Sequence, residues 1–214
     1  SRSGSLPAVE DMPDAVRARC IPVASDVADE QSFRAGIMKL AEQGHAVVGL
    51  VNNAGLHVEA PSANLPVAEW DMLMAANATS VVIGCQAAFP HLKAAGGGLI
   101  VNIGSFSDKL GVRRNLAYCA SKAAVGAISR VLAVEWAADG ISVLNVAPGF
   151  IITDLNRAQW EEGPLRTHLE KRIPGRMPGT AKDVAALVTS LFTMNVAYLT
   201  GETIYIDGGQ SVNA

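Results

Sequence analysis

Tyr118 and Lys122 stand four positions apart in Tyr118-Cys119-Ala120-Ser121-Lys122. On a helix that spacing puts both side chains on one face. A free tyrosine ionises near pH ~10, too high for acid–base work at neutral pH. A nearby ammonium favours the phenolate and lowers that value. Ser105 lies at the end of an apolar run and adds a hydroxyl that can hold a substrate oxygen while the proton moves. The three together describe a proton-transfer device. A Tyr-x-x-x-Lys spacing alone is weak, being equally a surface tyrosine beside a solvated lysine.

These residues need elements to position them. Residues 46–51 and 99–103 are short apolar runs that end at Asn52-Asn53-Ala54-Gly55 and Gly104-Ser105. Residues 141–147 form a third, closed by Pro148-Gly149. Such runs read as strands buried on both faces. Residues 19–24 and 203–206 predict two further strands. Helical spacing predicts helices over 29–43, over 67–94 with an interruption near Pro90, over 118–138 and over 181–193. Gly140 supplies the stop after the third, and residues 150–178 are the least patterned. Strand and helix alternate, so the fold class is α/β, a doubly wound parallel sheet with helices on both faces. Ligands of such sheets sit beyond the carboxyl ends of the strands, where Ser105 and Asn53 fall.

Composition agrees. The 214 residues suit one domain spanning 1–214, half of them are hydrophobic and only 17% charged, which excludes a disordered chain. Lys and Arg number 17 against 20 Asp and Glu, a net charge of −3. No basic stripe exists to neutralise phosphates, so nucleic acid is not an expected partner. No uncharged apolar run approaches the ~18 residues of a membrane span, so no membrane is expected either. Cys20, Cys85 and Cys119 lack CxxC spacing and read as free thiols of a reducing compartment, giving a cytoplasmic expectation. The histidines, His45, His57, His91 and His168, are scattered without metal-ligand spacing, so no metal is expected.

The motifs, taken in order, resemble the short-chain dehydrogenase/reductase family along the whole chain. Ser105 lies thirteen positions before Tyr118, the family interval, and Asn77 lies where the family's tetrad asparagine does. Asn52-Asn53-Ala54-Gly55 is similar to the family's NNAG signature, and Asp26-Val27 to the pair that contacts adenine. Pro148-Gly149 and Thr153 match the PG motif and the threonine that touches the carboxamide. Leu199-Thr200-Gly201-Glu202 and Asp207-Gly208-Gly209 match the family ending, and the ending and PG region look most like 3-oxoacyl carrier-protein reductases and related sugar or polyol dehydrogenases.

The resemblance implies a Rossmann-type fold and a nicotinamide-dependent oxidoreductase interconverting a secondary alcohol and a ketone. Catalytic residues would be Asn77, Ser105, Tyr118 and Lys122. Tyr118 moves the proton, Lys122 lowers its pKa and binds the ribose, Ser105 orients the substrate oxygen, and Asn77 holds a water connecting Lys122 to solvent. The cofactor would be held by Arg2, Asp26, Val27, Asn53, Ala54, Gly55, Tyr118, Lys122, Pro148, Gly149, Ile151 and Thr153. Arg2 and the lack of an acid near it favour NADP(H), with NAD(H) second. Two readings stay open for Asn77, a catalytic one and a simple backbone bond at a helix irregularity. Asn53 is either a cofactor ligand or a pin between strands. Trp160 either covers a pocket or packs a lid, and Arg113 and Arg114 either hold an anionic substrate or are solvated charge.

The family opens with a strand, a TGxxxGxG turn, a helix and a second strand, a unit of about 30 residues or more. The sequence contains no such turn; Gly96-Gly97-Gly98 precedes a strand rather than opening a helix. The expectation is a chain that starts just past the family's second strand, with an exposed strand edge beside residues 19–24 and 46–51. Family assembly through the long helices and last strand implies a homotetramer or homodimer. The alternative function is a truncated, non-catalytic subunit that keeps only those assembly surfaces.

Overall fold

The computed structural model describes residues 2–6, 12–153, 156–162, 164–194 and 196–213. The elements run α1 (Asp14–Arg17), α2 (Glu30–Glu42), β1 (Gly49–Asn52), α3 (Val67–Met74) and α4 (Ser80–Ala94). They continue with β2 (Gly98–Ile103), α5 (Leu116–Trp136), β3 (Ile141–Pro148), β4 (Ile151–Ile152), α6 (Arg157–Glu162) and α7 (Pro164–Arg172). The last are β5 (Gly179–Thr180), α8 (Ala181–Thr193) and β6 (Thr203–Ile206).

The main sheet is parallel, in the order β1-β2-β3-β6. Side chains alternate across a strand, and the sequence uses both faces. Ile100 and Val143 face one side, packed with Val81, Cys85, Ala88 and Leu92 of α4 and with Val125, Ala133 and Trp136 of α5. Val101, Leu144 and Val146 face the other side, against Leu187 and Leu191 of α8. The result is three layers, helices on both faces of a parallel sheet. Burial pushes the Cys85 thiol up to about 12, so it stays a protonated packing group.

Asn52, Asn102 and Asn145 lie side by side in register near the carboxyl ends of β1, β2 and β3. Asn52 Nδ2 donates to Asn102 Oδ1 at 2.8 Å, and Asn102 Nδ2 donates to Ser129 Oγ on α5 at 2.9 Å. Asn145 Nδ2 donates to Thr203 Oγ1 at 3.1 Å. This polar row ties the sheet to α5 directly beneath the strand ends. The strand-pinning asparagine is thus Asn52, whereas Asn53 is exposed.

Four sequence expectations need correction. No strand forms at 19–24: a strand requires a ladder partner, and none pairs with it among the described residues. The strand expected over 46–51 is shorter and shifted, because the register with β2 starts at Gly49 opposite Leu99. The long helix is not interrupted at Pro90. Pro90 and Gln86 are both exposed, so the carbonyl that the proline leaves unpaired faces water. The irregularity lies instead at Ala75–Thr79, a π-helical turn. Finally, the helices over 67–94 and 116–139 are each long and apolar enough to cross a membrane by length and composition. Both lie along the sheet, and their apolar faces supply its core.

Gly140 adopts φ 72°, the left-handed cap that ends the turn after α5. Residues 150–178 hold α6 and α7, packed through Trp160, Leu169 and Ile173 on Phe150 and Ile152. Trp160 is therefore buried in this small cluster. Asp154, Leu155 and Gly163 of the same stretch lie outside the described residues.

β1 pairs on one side only among the described residues, and Val48 just before it and Val51 within it are exposed.

Candidate active site

The carboxyl end of β2 delivers Ser105, and the first turns of α5 deliver Tyr118 and Lys122. Lys122 is 6% exposed and its Nζ donates to the Ile103 carbonyl at 2.8 Å. Burial pulls its pKa down to about 8. Nζ lies 5.8 Å from the centre of the Tyr118 ring. Burial raises the Tyr118 pKa, and the nearby Ser105 side chain works the other way. The ammonium is turned to a backbone carbonyl, and desolvation dominates at the phenol.

Asn77 sits in the π-helical turn, 1% exposed. Its Oδ1 accepts from the Leu56 N–H at 2.7 Å, and its Nδ2 donates to the Leu56 carbonyl at 2.9 Å and to Ser121 Oγ at 3.0 Å. The extra residue of the turn swings this amide toward the loop after β1. Both of its N–H groups are engaged by protein, which leaves only an Oδ1 lone pair for a water.

Gly55 completes the cluster. A Cβ there would stand 3.2 Å from Asn77 Oδ1 and 3.7 Å from Lys122 Nζ. The glycine leaves open the space that these two polar groups border. At the end of β3, Gly149 packs on Asp207, where a Cβ would come within 2.7 Å of that residue's Cα. Ile151 pairs with Gly179, and the Thr153 N–H donates to Asn156 Oδ1 at 2.8 Å.

The structure thus brings Asn77, Ser105, Tyr118, Lys122 and Gly55 together. Asn53, Ala54, Pro148, Gly149, Ile151 and Thr153 lie at or just past the carboxyl ends of β1 and β3. Arg2, Asp26 and Val27 form another group. Gly4 packs on Ala24, so the segment carrying Arg2 runs beside the approach to Asp26. The Asp26 carboxylate accepts from the Ala28 N–H at 3.0 Å.

Sequence reasoning missed His57 and Asn115. The His57 ring meets the Tyr118 ring edge-on, with centroids 4.8 Å apart and planes at 83°. His57 Nε2 is hydrogen-bonded to Asn115 Oδ1. The available signal was a polar aromatic residue two positions beyond Gly55. Arg114 pairs with Glu59 at 3.9 Å across the same two loops. Cys119 points away, toward the Leu110 carbonyl at 3.8 Å. A cavity of about 380 Å³ lies at the opposite, amino-terminal end of the strands, lined by Val48, Gly98, Leu99 and Phe192 among others, and shares no residue with this cluster.

Half of a nicotinamide dinucleotide fits this site. The opening at Gly55, the buried Lys122 amine and the Tyr118 phenol suit a ribose and a nicotinamide ring over the strand ends. The diphosphate finds no glycine-rich helix start among the described residues, and α2 opens on the acidic pair Asp29-Glu30.

The family profile described as enoyl-(acyl carrier protein) reductase matches residues 2–211. D-threitol dehydrogenase of Mycolicibacterium smegmatis is 34% identical over 189 residues, 88% of this chain and 72% of that protein. 2-(R)-hydroxypropyl-CoM dehydrogenase of Xanthobacter autotrophicus is 35% identical over 193 residues, 89% of this chain and 77% of that protein. The gluconate 5-dehydrogenase of Burkholderia cenocepacia, solved with NADP and tartrate, superposes with a TM-score of 0.87 at 29% identity, covering 94% of this chain and 80% of that one. With nearly its whole length matched in sequence and in fold, the chain belongs to the short-chain dehydrogenase/reductase family of oxidoreductases.

Proposed function

We propose that the protein interconverts a secondary alcohol and a ketone, using Tyr118, Lys122, Ser105 and Asn77. One observation carries this reading: a phenol and a serine hydroxyl stand near each other beyond a parallel strand end, with a buried amine on the phenol's own helix face. A bound nicotinamide supplies the hydride acceptor or donor. Ser105 holds the substrate oxygen, and Tyr118 Oη takes the proton during oxidation and returns it during reduction. The Lys122 ammonium orients the ribose and favours the phenolate once its Ile103 bond is shared. Asn77 fixes the Leu56 backbone and Ser121, and its remaining lone pair holds a water that links Lys122 to solvent.

Asn53, Ala54, Gly55, Pro148, Gly149, Ile151 and Thr153 border the nicotinamide end; Arg2, Asp26 and Val27 border the adenosine end. Arg2 supports NADP(H) ahead of NAD(H), and a relative of the same fold binds NADP. Three free cysteines support a cytoplasmic setting. Exposed Val131 and Val134 on α5 support pairing of two or four copies through that helix.

Titration with NADPH and with NADH, read by fluorescence, tests the reading. Saturable binding is expected, tighter for NADPH by about tenfold through the Arg2 charge. Binding of neither would turn the reading to a non-catalytic assembly subunit.

A further inference from the structure

We propose that His57 is a specificity-determining residue that accepts a hydrogen bond from a second substrate hydroxyl, close to the reacting carbinol. The substrates would then be polyols and hydroxyketones rather than simple secondary alcohols. The inference rests on the oxidoreductase reading above.

Asn115 is 4% exposed. Its Nδ2 donates to the Arg113 carbonyl at 2.9 Å. A carbonyl only accepts, so the orientation of the amide is settled and Oδ1 is the atom facing His57. An amide oxygen also only accepts, so His57 Nε2 carries the proton of their bond. In the neutral imidazole Nδ1 is then a bare acceptor.

The ring is held beside the phenol from both sides. Asn115 immediately precedes α5, the helix that carries Tyr118. The loop carrying His57 is strapped to the same segment: the Ala60 N–H donates to the Arg114 carbonyl at 2.9 Å. Arg114 adopts φ 65°, a left-handed conformation that non-glycine residues hold only when surroundings enforce it. His57 itself remains exposed, so its free edge is open to a ligand. With ring centroids 4.8 Å apart, the imidazole stands beside the phenol, within reach of a polyol whose reacting oxygen is on Tyr118. An acceptor fixed in that place favours a substrate that offers an O–H. An alcohol with a methyl group there forgoes this bond, so the site favours the substrate that carries the second hydroxyl.

The test compares 2,3-butanediol with 2-butanol, which differ by one hydroxyl, in the wild type, His57→Leu and His57→Gln. The readout is the ratio of kcat/KM for the diol over the monoalcohol, which cancels any loss of folded protein. His57→Leu is expected to lower that ratio by about tenfold. His57→Gln, which keeps an acceptor oxygen, is expected to recover part of it. A ratio that moves less than about threefold in His57→Leu overturns the inference while leaving the oxidoreductase reading intact. A wild type that oxidises only 2-butanol does the same. A wild type that oxidises neither alcohol with NADP or NAD overturns both.

Discussion

Lys122 carries the clearest conflict between stability and chemistry at the residue scale. Its amine is buried, and its pKa falls from 10.5 to about 8. The folded protein therefore binds this proton more weakly than the unfolded chain does. Below about pH 8 both states are protonated and the buried charge weighs fully against folding. As pH rises from about 8 to about 10.5, the folded amine is neutral while the unfolded one still holds its proton, so stability rises with pH. Relief amounts to about 2–3 kcal/mol by pH 10. Lys122→Met lacks this group. The stability of the wild type minus that of Lys122→Met, from urea unfolding, should climb by that amount between pH 7 and pH 10. A difference independent of pH would show that burial does not perturb the amine.

At the scale of elements, the polar row is the central device. Asn102 on β2 accepts from Asn52 on β1 and donates to Ser129 on α5, which itself donates to the Val125 carbonyl. Asn102→Ala leaves the Asn52 amide and the Ser129 hydroxyl short of a partner in a dry interior. We expect a loss of about 2–3 kcal/mol with an unchanged m value in urea unfolding. A loss under about 0.5 kcal/mol would mean that the row is filler. Sequence pattern made several elements legible. Residues 181–193 form the expected helix because Thr180 caps it and Asp183 closes the capping box. The strand at 203–206 also falls where expected. The relation of Tyr118 to Lys122 was legible because it is a spacing within one helix. What stayed hidden depends on distant partners. The π-helical turn is held by bonds from Asn77 to Leu56 and Ser121, and no local propensity encodes it. Residues 19–24 have the apolar content of a strand, but apolar content does not supply a ladder. His57 gains meaning only from Asn115, far along the chain.

At the scale of the whole molecule, the four parallel strands gather all the reactive groups at one end. The carboxyl ends of β1, β2 and β3 present Gly55, Ser105 and Gly149, and α5 lays Tyr118 and Lys122 across them. The helices on each face bury that sheet, and the candidate site residues stand on the loops after its strands and on the first turns of α5. The central claim is that Tyr118 moves the proton in an alcohol oxidation. The most direct measurement is the initial rate of 2,3-butanediol oxidation with NADP, followed by nicotinamide absorbance, in the wild type and in Tyr118→Phe. The substitution removes one oxygen and keeps the ring against His57. Turnover by the wild type is expected, with a fall of about 10³-fold in kcat/KM for Tyr118→Phe and unchanged far-ultraviolet dichroism. A Tyr118→Phe protein within about threefold of the wild type would contradict it.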